Sequence, residues 1–119
     1  FKVETRKYIF DMEKKYNWAD IVIARSGALT VSELIASGTA SILIPYPFAV
    51  DDHQFFNAKI LKDAGAAEII REKDLEEKLV FNLVRLDRKK CENMALKAKK
   101  LQIYDACAEV RKVCNTLLK

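Results

Sequence analysis

The stretch ARSGALTVSE, residues 24–33, combines the residue types that proteins use to bind phosphate. Gly27 lacks a Cβ, so its backbone can adopt a positive φ and can approach a ligand closely. Ser26 and Thr30 bring hydroxyl groups to the same corner. Helical periodicity begins directly after this turn, and the first turn of a helix offers free N–H groups and about half a unit of positive charge. The stretch therefore predicts a site for a phosphate-like anion.

A purely structural turn is the alternative interpretation of SGALT. Ser, Gly and Thr are all common where a strand turns into a helix and at helix N-termini. A single glycine in a turn is also much less specific than a complete phosphate-binding signature. Local chemistry alone leaves both interpretations open.

Glu33 adds a carboxylate to this corner. It follows Thr30 by three residues and Gly27 by six, so it lies in the second helical turn, where it can point back toward the strand end. The two oxygens of a carboxylate can accept hydrogen bonds from the two hydroxyls of a ribose. A capping or solvent-facing glutamate is the alternative.

The loop PYPFAVDDHQFFNA, residues 45–58, is the second informative segment. It contains both prolines, which stiffen the backbone, and the only histidine of the chain. Gln54 and Asn57 are three residues apart, so they share a helical face and offer donors and acceptors that suit a sugar. His53 is either a further ligand contact or an ordinary helix-start residue. One histidine without a partner base or nucleophile supports no catalytic triad and no metal site.

Strands and helices alternate around these segments. Apolar runs at 21–24 and 41–46 predict strands that are buried on both faces, and 66–71 predicts a weaker third strand. Helical stretches at 29–38 and 53–65 separate them, each ending at a glycine. This order predicts an α/β fold with a parallel sheet, in which ligands bind beyond the carboxyl ends of the strands.

Helices are predicted on both sides of this unit. Residues 10–19 predict a helix that leads into the first strand, and the segment after residue 74 predicts three more helices, at 75–87, 88–102 and 105–118. Asp105 is the predicted N-cap of the last helix. We therefore expect a single domain, residues 1–119, with a βα core (1–74) that holds the site and C-terminal helices (75–119).

Bulk properties restrict the function classes. The longest uncharged run is interrupted by Gly and Pro and is shorter than the roughly 20 residues of a membrane span. The net charge of +4 suits an anionic ligand or membrane surface, but basic residues lack the neighbouring aromatics of a nucleic-acid module. Three cysteines without C-x-x-C spacing predict no zinc site and a reducing compartment, with Cys107 and Cys114 packed in a core. A sheet of three strands without an initiator Met suggests that the chain begins inside a longer gene product.

The combination of RSGALTVSE with PYPFAVDDHQ and NA closely resembles the C-terminal domain of the MurG family of bacterial glycosyltransferases, from about Tyr8 to Ala67. The resemblance implies a GT-B fold, in which the C-terminal one of two Rossmann-like domains binds the donor, and makes this chain a partial C-terminal domain. It also implies an inverting transfer of N-acetylglucosamine from UDP-N-acetylglucosamine to lipid I, which gives lipid II for peptidoglycan.

The resemblance assigns a role to each candidate residue. The diphosphate and sugar are implied to lie at Ser26, Gly27, Ala28, Leu29 and Thr30, with Arg25 directly before them. Glu33 is implied to hold the ribose hydroxyls, Gln54 and His53 to contact the N-acetylglucosamine, and Asn57 to support their loop. Ile9 is implied to read the uracil edge through its backbone, and Met12 to line the base pocket. His53 stands where many members of the family have a glutamine.

The resemblance implies that no catalytic residue lies in this chain, because the general base belongs to an N-terminal domain that also binds lipid I. It implies no metal or other cofactor, a cytoplasmic location on the inner face of the bacterial plasma membrane, and contact with anionic lipid. The chain alone is expected to be inactive. The alternatives are another UDP-sugar lipid glycosyltransferase of the same fold, or a non-catalytic nucleotide-binding or interaction module.

Overall fold

The chain forms alternating helices and short parallel strands in a computed structural model, which describes the backbone of residues 2–117 and the side chains of residues 2–102. Two one-turn 3₁₀ helices, Val50–Asp52 and Glu72–Asp74, precede the α-helices that begin at His53 and Leu75. The regular elements in chain order are α1 (Met12–Trp18), β1 (Val22–Ala24), α2 (Ala28–Ser37), β2 (Ser41–Leu43), α3 (His53–Asp63), β3 (Ala67–Ile69), α4 (Leu75–Arg85) and α5 (Arg88–Leu117).

The three strands form one parallel sheet in the order β1-β2-β3. Val22 pairs with Ser41 in the first ladder, and Leu43 pairs with Ile69 in the second. The carboxyl ends of all three strands therefore meet at one edge, from which the chain enters α2 and the loop before α3. The predicted α/β class with flanking helices is confirmed.

Both predicted glycine helix ends are confirmed. Gly38 has φ 64° and donates its N–H to the carbonyls of Leu34 and Ile35 at the end of α2. Gly65, one residue beyond the C-cap of α3, has φ 79°. Both values lie in the left-handed region, where only glycine is unstrained.

Burial on both faces is confirmed for β2 and wrong for β1. Every residue of β2 is buried, whereas Ile23 in β1 is 44% exposed. The difference follows from the strand order, because β2 is the central strand and β1 pairs with a single neighbour among the described residues.

The main core lies between the sheet and the helices α2, α3 and α5. Leu34 from α2, Leu61 from α3 and Ala98 from α5 are fully buried in one cluster with Leu43 of the central strand. This packing fixes the N-terminal ends of α2 and α3 side by side at the carboxyl edge of the sheet.

The predicted break between two C-terminal helices is wrong. The backbone is helical without interruption from Arg88 to Leu117, so Asp105 lies within a helix and is not an N-cap. The segment contains no Gly or Pro, the residues that most strongly end helices. The predicted core packing of Cys107 and Cys114 concerns side chains outside the described residues.

Within the described residues, no helix is both long enough and apolar enough to cross a membrane.

Candidate functional site

Gly27 is the N-cap of α2, with φ −62° and ψ 155°. Gly27 does not adopt the positive φ that a glycine allows, because the chain leaves β1 in an extended conformation and enters the helix directly. A Cβ built on Gly27 would come no closer than 3.9 Å to another group, the Nε2 of Gln54. Neither backbone conformation nor packing within the described residues requires a glycine here. What its missing side chain provides is open space in front of the helix.

The N-terminus of α2 faces this space without a competing anion. Gly27 offers no side-chain cap, and the first turn of the helix contains no acidic residue. Ala28 and Leu29 are exposed, and Thr30 is half-buried. The N–H groups of this turn have no helical acceptor, so together with the helix dipole they favour a bound anion.

Ser26 ties this turn to α3. Its fully buried hydroxyl donates to the Gln54 carbonyl at 2.6 Å, and its own carbonyl accepts a 3.1 Å hydrogen bond from Asn57 Nδ2. The sequence suggested that the Ser26 hydroxyl joins that of Thr30 at the ligand corner. In the structure the Ser26 hydroxyl instead donates its hydrogen bond to α3. Asn57 likewise contacts the backbone of the turn.

Gln54 lies where the two segments meet. Its Oε1 accepts a 2.9 Å hydrogen bond from the Tyr46 N–H, and its Nε2 is directed toward Gly27. The amide group thus connects the proline-containing loop to the turn before α2. His53, the first residue of α3, is exposed beside it.

The entry into α3 has an unusual backbone. Asp51 and Asp52 have φ values of 51° and 56°, in the left-handed region, which costs a non-glycine residue roughly 1–3 kcal/mol. Both carboxylate oxygens of Asp52 accept hydrogen bonds from Arg71, at 3.1 and 3.0 Å. The Arg71 guanidinium also stacks 4.0 Å from the centre of the Phe55 ring. Hydrogen bonding to Asp52 raises the pKa of Arg71 above its usual value.

Arg25 bridges the strand ends. Its guanidinium donates to the carbonyls of Ile44 and Pro45, each at 3.5 Å, and forms an ion pair with Glu72. It also lies 5.7 Å from the Tyr46 ring centre. These contacts place Arg25 beside the loop after β2, with its charge largely engaged.

Glu33 faces α1. Its Oε2 accepts a 2.7 Å hydrogen bond from the hydroxyl of Tyr16, which is only 7% exposed. Burial, with a smaller contribution from Glu33, raises the pKa of Tyr16 to about 12. Glu33, Tyr16 and Met12 line a cleft of about 300 Å³.

Ile9 and Met12 line a larger, mostly apolar cleft of about 630 Å³, together with Tyr16 and Val22. Met12 and Tyr16 belong to both clefts, so the walls of the two are continuous. The predicted residues therefore form two groups: Gly27 to Thr30 with His53 and Gln54 at the strand ends, and Ile9, Met12 and Glu33 along α1.

Sequence reasoning missed two contributors, Tyr16 and Arg71. Tyr16 lies one helical turn after Met12 in the predicted helix at 10–19, and this spacing was the signal available. Arg71 is the last residue of the third predicted strand, and a basic residue at a carboxyl strand end was the signal available. No cluster of three or more His, Cys, Asp or Glu with metal-site geometry occurs within the described part of the chain.

Comparison with known proteins identifies the family. The sequence model described as "Glycosyltransferase family 28 C-terminal domain" matches residues 1–110. The chain belongs to this family. The resemblance predicted from the sequence is thereby confirmed.

Two similar proteins bear the same name, "UDP-N-acetylglucosamine--N-acetylmuramyl-(pentapeptide) pyrophosphoryl-undecaprenol N-acetylglucosamine transferase". The protein from Shewanella amazonensis is 45% identical over 120 residues, covering 98% of this chain and 33% of the relative. The protein from Shewanella oneidensis is 48% identical over 118 residues, covering 97% of this chain and 33% of the relative. The chain thus spans about a third of the length of these relatives.

The crystal structure of Acinetobacter baumannii MurG has the same fold over most of the chain. It superposes with a TM-score of 0.70 at 42% sequence identity, covering 78% of this chain and 27% of that protein. At this identity the likeness extends from the fold to the sequence family.

Proposed function

We propose that this chain is the UDP-N-acetylglucosamine-binding part of an inverting glycosyltransferase that transfers N-acetylglucosamine to lipid I to make lipid II. The names of the family 28 relatives support the reaction and its donor. The observation in this chain that carries the proposal is Gly27, whose missing side chain leaves space in front of an uncapped helix N-terminus although the fold does not need a glycine there.

The donor is proposed to lie along the carboxyl edge of the sheet. The diphosphate takes the N–H groups of Ala28, Leu29 and Thr30 at the start of α2. The uridine extends toward α1, where the base lies against Ile9 and Met12 and the ribose hydroxyls contact Glu33. These three residues line the two continuous clefts along α1. The sugar extends toward His53 and Gln54, beside the Arg25-bound loop.

The chain contributes electrostatic stabilisation to the proposed reaction. As the acceptor hydroxyl attacks the anomeric carbon and UDP leaves, negative charge grows on the diphosphate, and the N-terminus of α2 stabilises it. Deprotonation of the acceptor is assigned to a base outside this chain. Lipid I and the anionic inner face of the plasma membrane are proposed partners of the whole enzyme. Because the acceptor and the base that deprotonates it are bound outside this chain, the isolated chain should turn over no substrate.

The proposed site uses no metal or other cofactor, because the helix N-terminus supplies the positive field at the diphosphate. Donor affinity should therefore be equal in the presence of Mg²⁺ and of excess EDTA. A requirement for Mg²⁺ would contradict this part of the proposal.

Calorimetric titration of the 119-residue chain tests the proposed donor. UDP-N-acetylglucosamine, UDP-galactose and UDP are compared at the same low ionic strength. Saturable binding that is tighter for UDP-N-acetylglucosamine than for UDP-galactose supports the proposal. Preference for UDP-galactose favours another UDP-sugar transferase, and no binding by a folded chain contradicts a donor site formed by these residues.

A further inference from the structure

Arg71 holds together the two ends of the segment that precedes and begins α3. Its two hydrogen bonds go to Asp52, the N-cap of α3, and its guanidinium carbon lies 4.0 Å from the ring centre of Phe55, the third residue of the helix. His53 and Gln54 lie between these two contacts. Arg71 therefore contacts both sides of the short stretch that carries the proposed sugar-binding side chains.

We propose that Arg71 is a positioning residue for the donor sugar, which acts through Asp52 to hold the backbone from which His53 and Gln54 project. The inference rests on the proposed function, in which those two side chains contact the sugar. Arg71 itself makes no assigned contact with the donor.

Asp52 shows why such a clamp is needed. Aspartate at an N-cap usually accepts a hydrogen bond from the first turn of its own helix, but the Asp52 side chain caps nothing. Its carboxylate accepts hydrogen bonds from Arg71 instead. Asp51 and Asp52 both have left-handed backbone conformations. A two-point hydrogen bond from outside the loop stabilises a conformation that these residues rarely adopt alone.

Arg71 is itself held by the sheet. The preceding residue, Ile70, is buried and donates its N–H to the Leu43 carbonyl at 3.0 Å, which extends the pairing between β2 and β3. The guanidinium thus projects from a rigid strand end toward a loop. A lysine at this position would keep the charge but would lose the planar stacking and the paired hydrogen bonds.

Gln54 transmits a displacement of Asp52 to the loop after β2. Its side-chain Oε1 accepts the hydrogen bond from the Tyr46 N–H, whereas Ser26, which donates to its carbonyl, is fully buried and is held by the core. Release of the clamp should therefore loosen the Tyr46 hydrogen bond and misplace the sugar contacts, while the N-terminus of α2, anchored in the core, keeps its place.

The test compares Arg71→Met, Asp52→Asn and the double variant with a matched control. Arg85→Met removes a similar arginine that pairs with Glu68 at 3.2 Å and lies 5.5 Å from the Phe81 ring centre, on α4. Arg71→Lys is the milder variant if Arg71→Met does not fold. Two readouts are recorded, the amide hydrogen exchange of Tyr46 and the affinities for UDP-N-acetylglucosamine and UDP.

In Arg71→Met we expect the Tyr46 N–H to exchange about tenfold faster, with the Ile70 N–H unchanged. UDP-N-acetylglucosamine should bind about tenfold more weakly, with UDP affinity unchanged. Asp52→Asn should show the same losses, and the double variant no further loss, since the pair acts as a unit. Arg71→Lys should be intermediate and Arg85→Met unaffected.

Unchanged Tyr46 exchange in Arg71→Met or Arg71→Lys would overturn the proposal, as would an equal loss of affinity for UDP and the UDP-sugar. Additive losses in the double variant would also overturn it. If the unsubstituted chain binds neither nucleotide, the proposed function fails, but the exchange comparison still decides whether Arg71 positions this segment.

Discussion

The Tyr16 hydroxyl donates a 2.7 Å hydrogen bond to Glu33 Oε2 and so joins α1 to α2. The carboxylate is held with one oxygen occupied and lines the cleft shared with Met12. Glu33 is thereby oriented before any ligand arrives, which reduces the entropy lost when a ribose binds.

Replacing Glu33 by Gln should weaken UDP binding about tenfold, because hydrogen bonds to a charged acceptor contribute more than those to a neutral one. Calorimetry with UDP measures the change. Glu77→Gln, on the exposed side of α4, is the control and should leave the affinity as it is. Equal affinity in Glu33→Gln and the unsubstituted chain would refute a ribose role for Glu33.

Tyr16 should make stability depend on alkaline pH. Its pKa is near 10 in an unfolded chain and about 12 in the fold, so the neutral hydroxyl stabilises the fold fully below pH 10. This contribution, roughly 2 kcal/mol, is lost as the pH rises from 10 toward 12. Urea unfolding of the unsubstituted chain and of Tyr16→Phe measures it. The difference in unfolding free energy should shrink over this interval; a constant difference would contradict the assignment.

Gly27→Ser should separate stability from binding. Serine is a good N-cap and fits the observed φ of −62°, so the unfolding free energy should rise by about 0.5 kcal/mol. Donor affinity should nevertheless fall about tenfold, because the side chain enters the space proposed for the diphosphate. Denaturation and calorimetry on the same sample test both parts.

Gly38→Ala is the contrasting variant for Gly27→Ser. Gly38 has a positive φ, and an added Cβ would lie 2.2 Å from Lys99 Cγ, so this substitution should destabilise the fold.

Unaltered donor affinity in a stable Gly27→Ser chain would show that the turn before α2 has only a structural role.

Ser26→Ala should lower the unfolding free energy by about 0.5–1.5 kcal/mol, because the fully buried Ser26 hydroxyl and its hydrogen bond to the Gln54 carbonyl are lost. Thr30→Val, in the half-buried first turn of α2, is the comparison and should cost less. Equal stability of Ser26→Ala and the unsubstituted chain would contradict the role of Ser26 in fixing α3.

Local patterns were sufficient to predict the order of strands and helices up to α4. The apolar runs around Ile42 and the glycines at 38 and 65 each have a direct physical consequence, burial in a central strand or a left-handed helix end. The continuous α5 was missed because Asp105 is a residue type that favours an N-cap. The absence of Gly and Pro from the whole segment, which favours one unbroken helix, proved to be the better indication.

The site was predictable as a set of residues but not as a set of contacts. Ser26 was expected to offer its hydroxyl to a ligand, yet it donates to Gln54, a residue 28 positions away. The Arg71–Asp52 pair spans 19 positions and brings together the ends of different elements. Such pairings depend on how the strand ends meet in space, which no local periodicity contains.

The most direct test of the proposed donor site is a map of backbone amide NMR shifts as UDP-N-acetylglucosamine is added to the chain, with UDP-galactose as control. Saturable shifts are expected at residues 27–30, at Glu33 and at Gln54, and they should be larger for the N-acetylglucosamine donor. Saturable shifts confined to other surfaces, or none in a folded chain, would contradict a donor site at the start of α2.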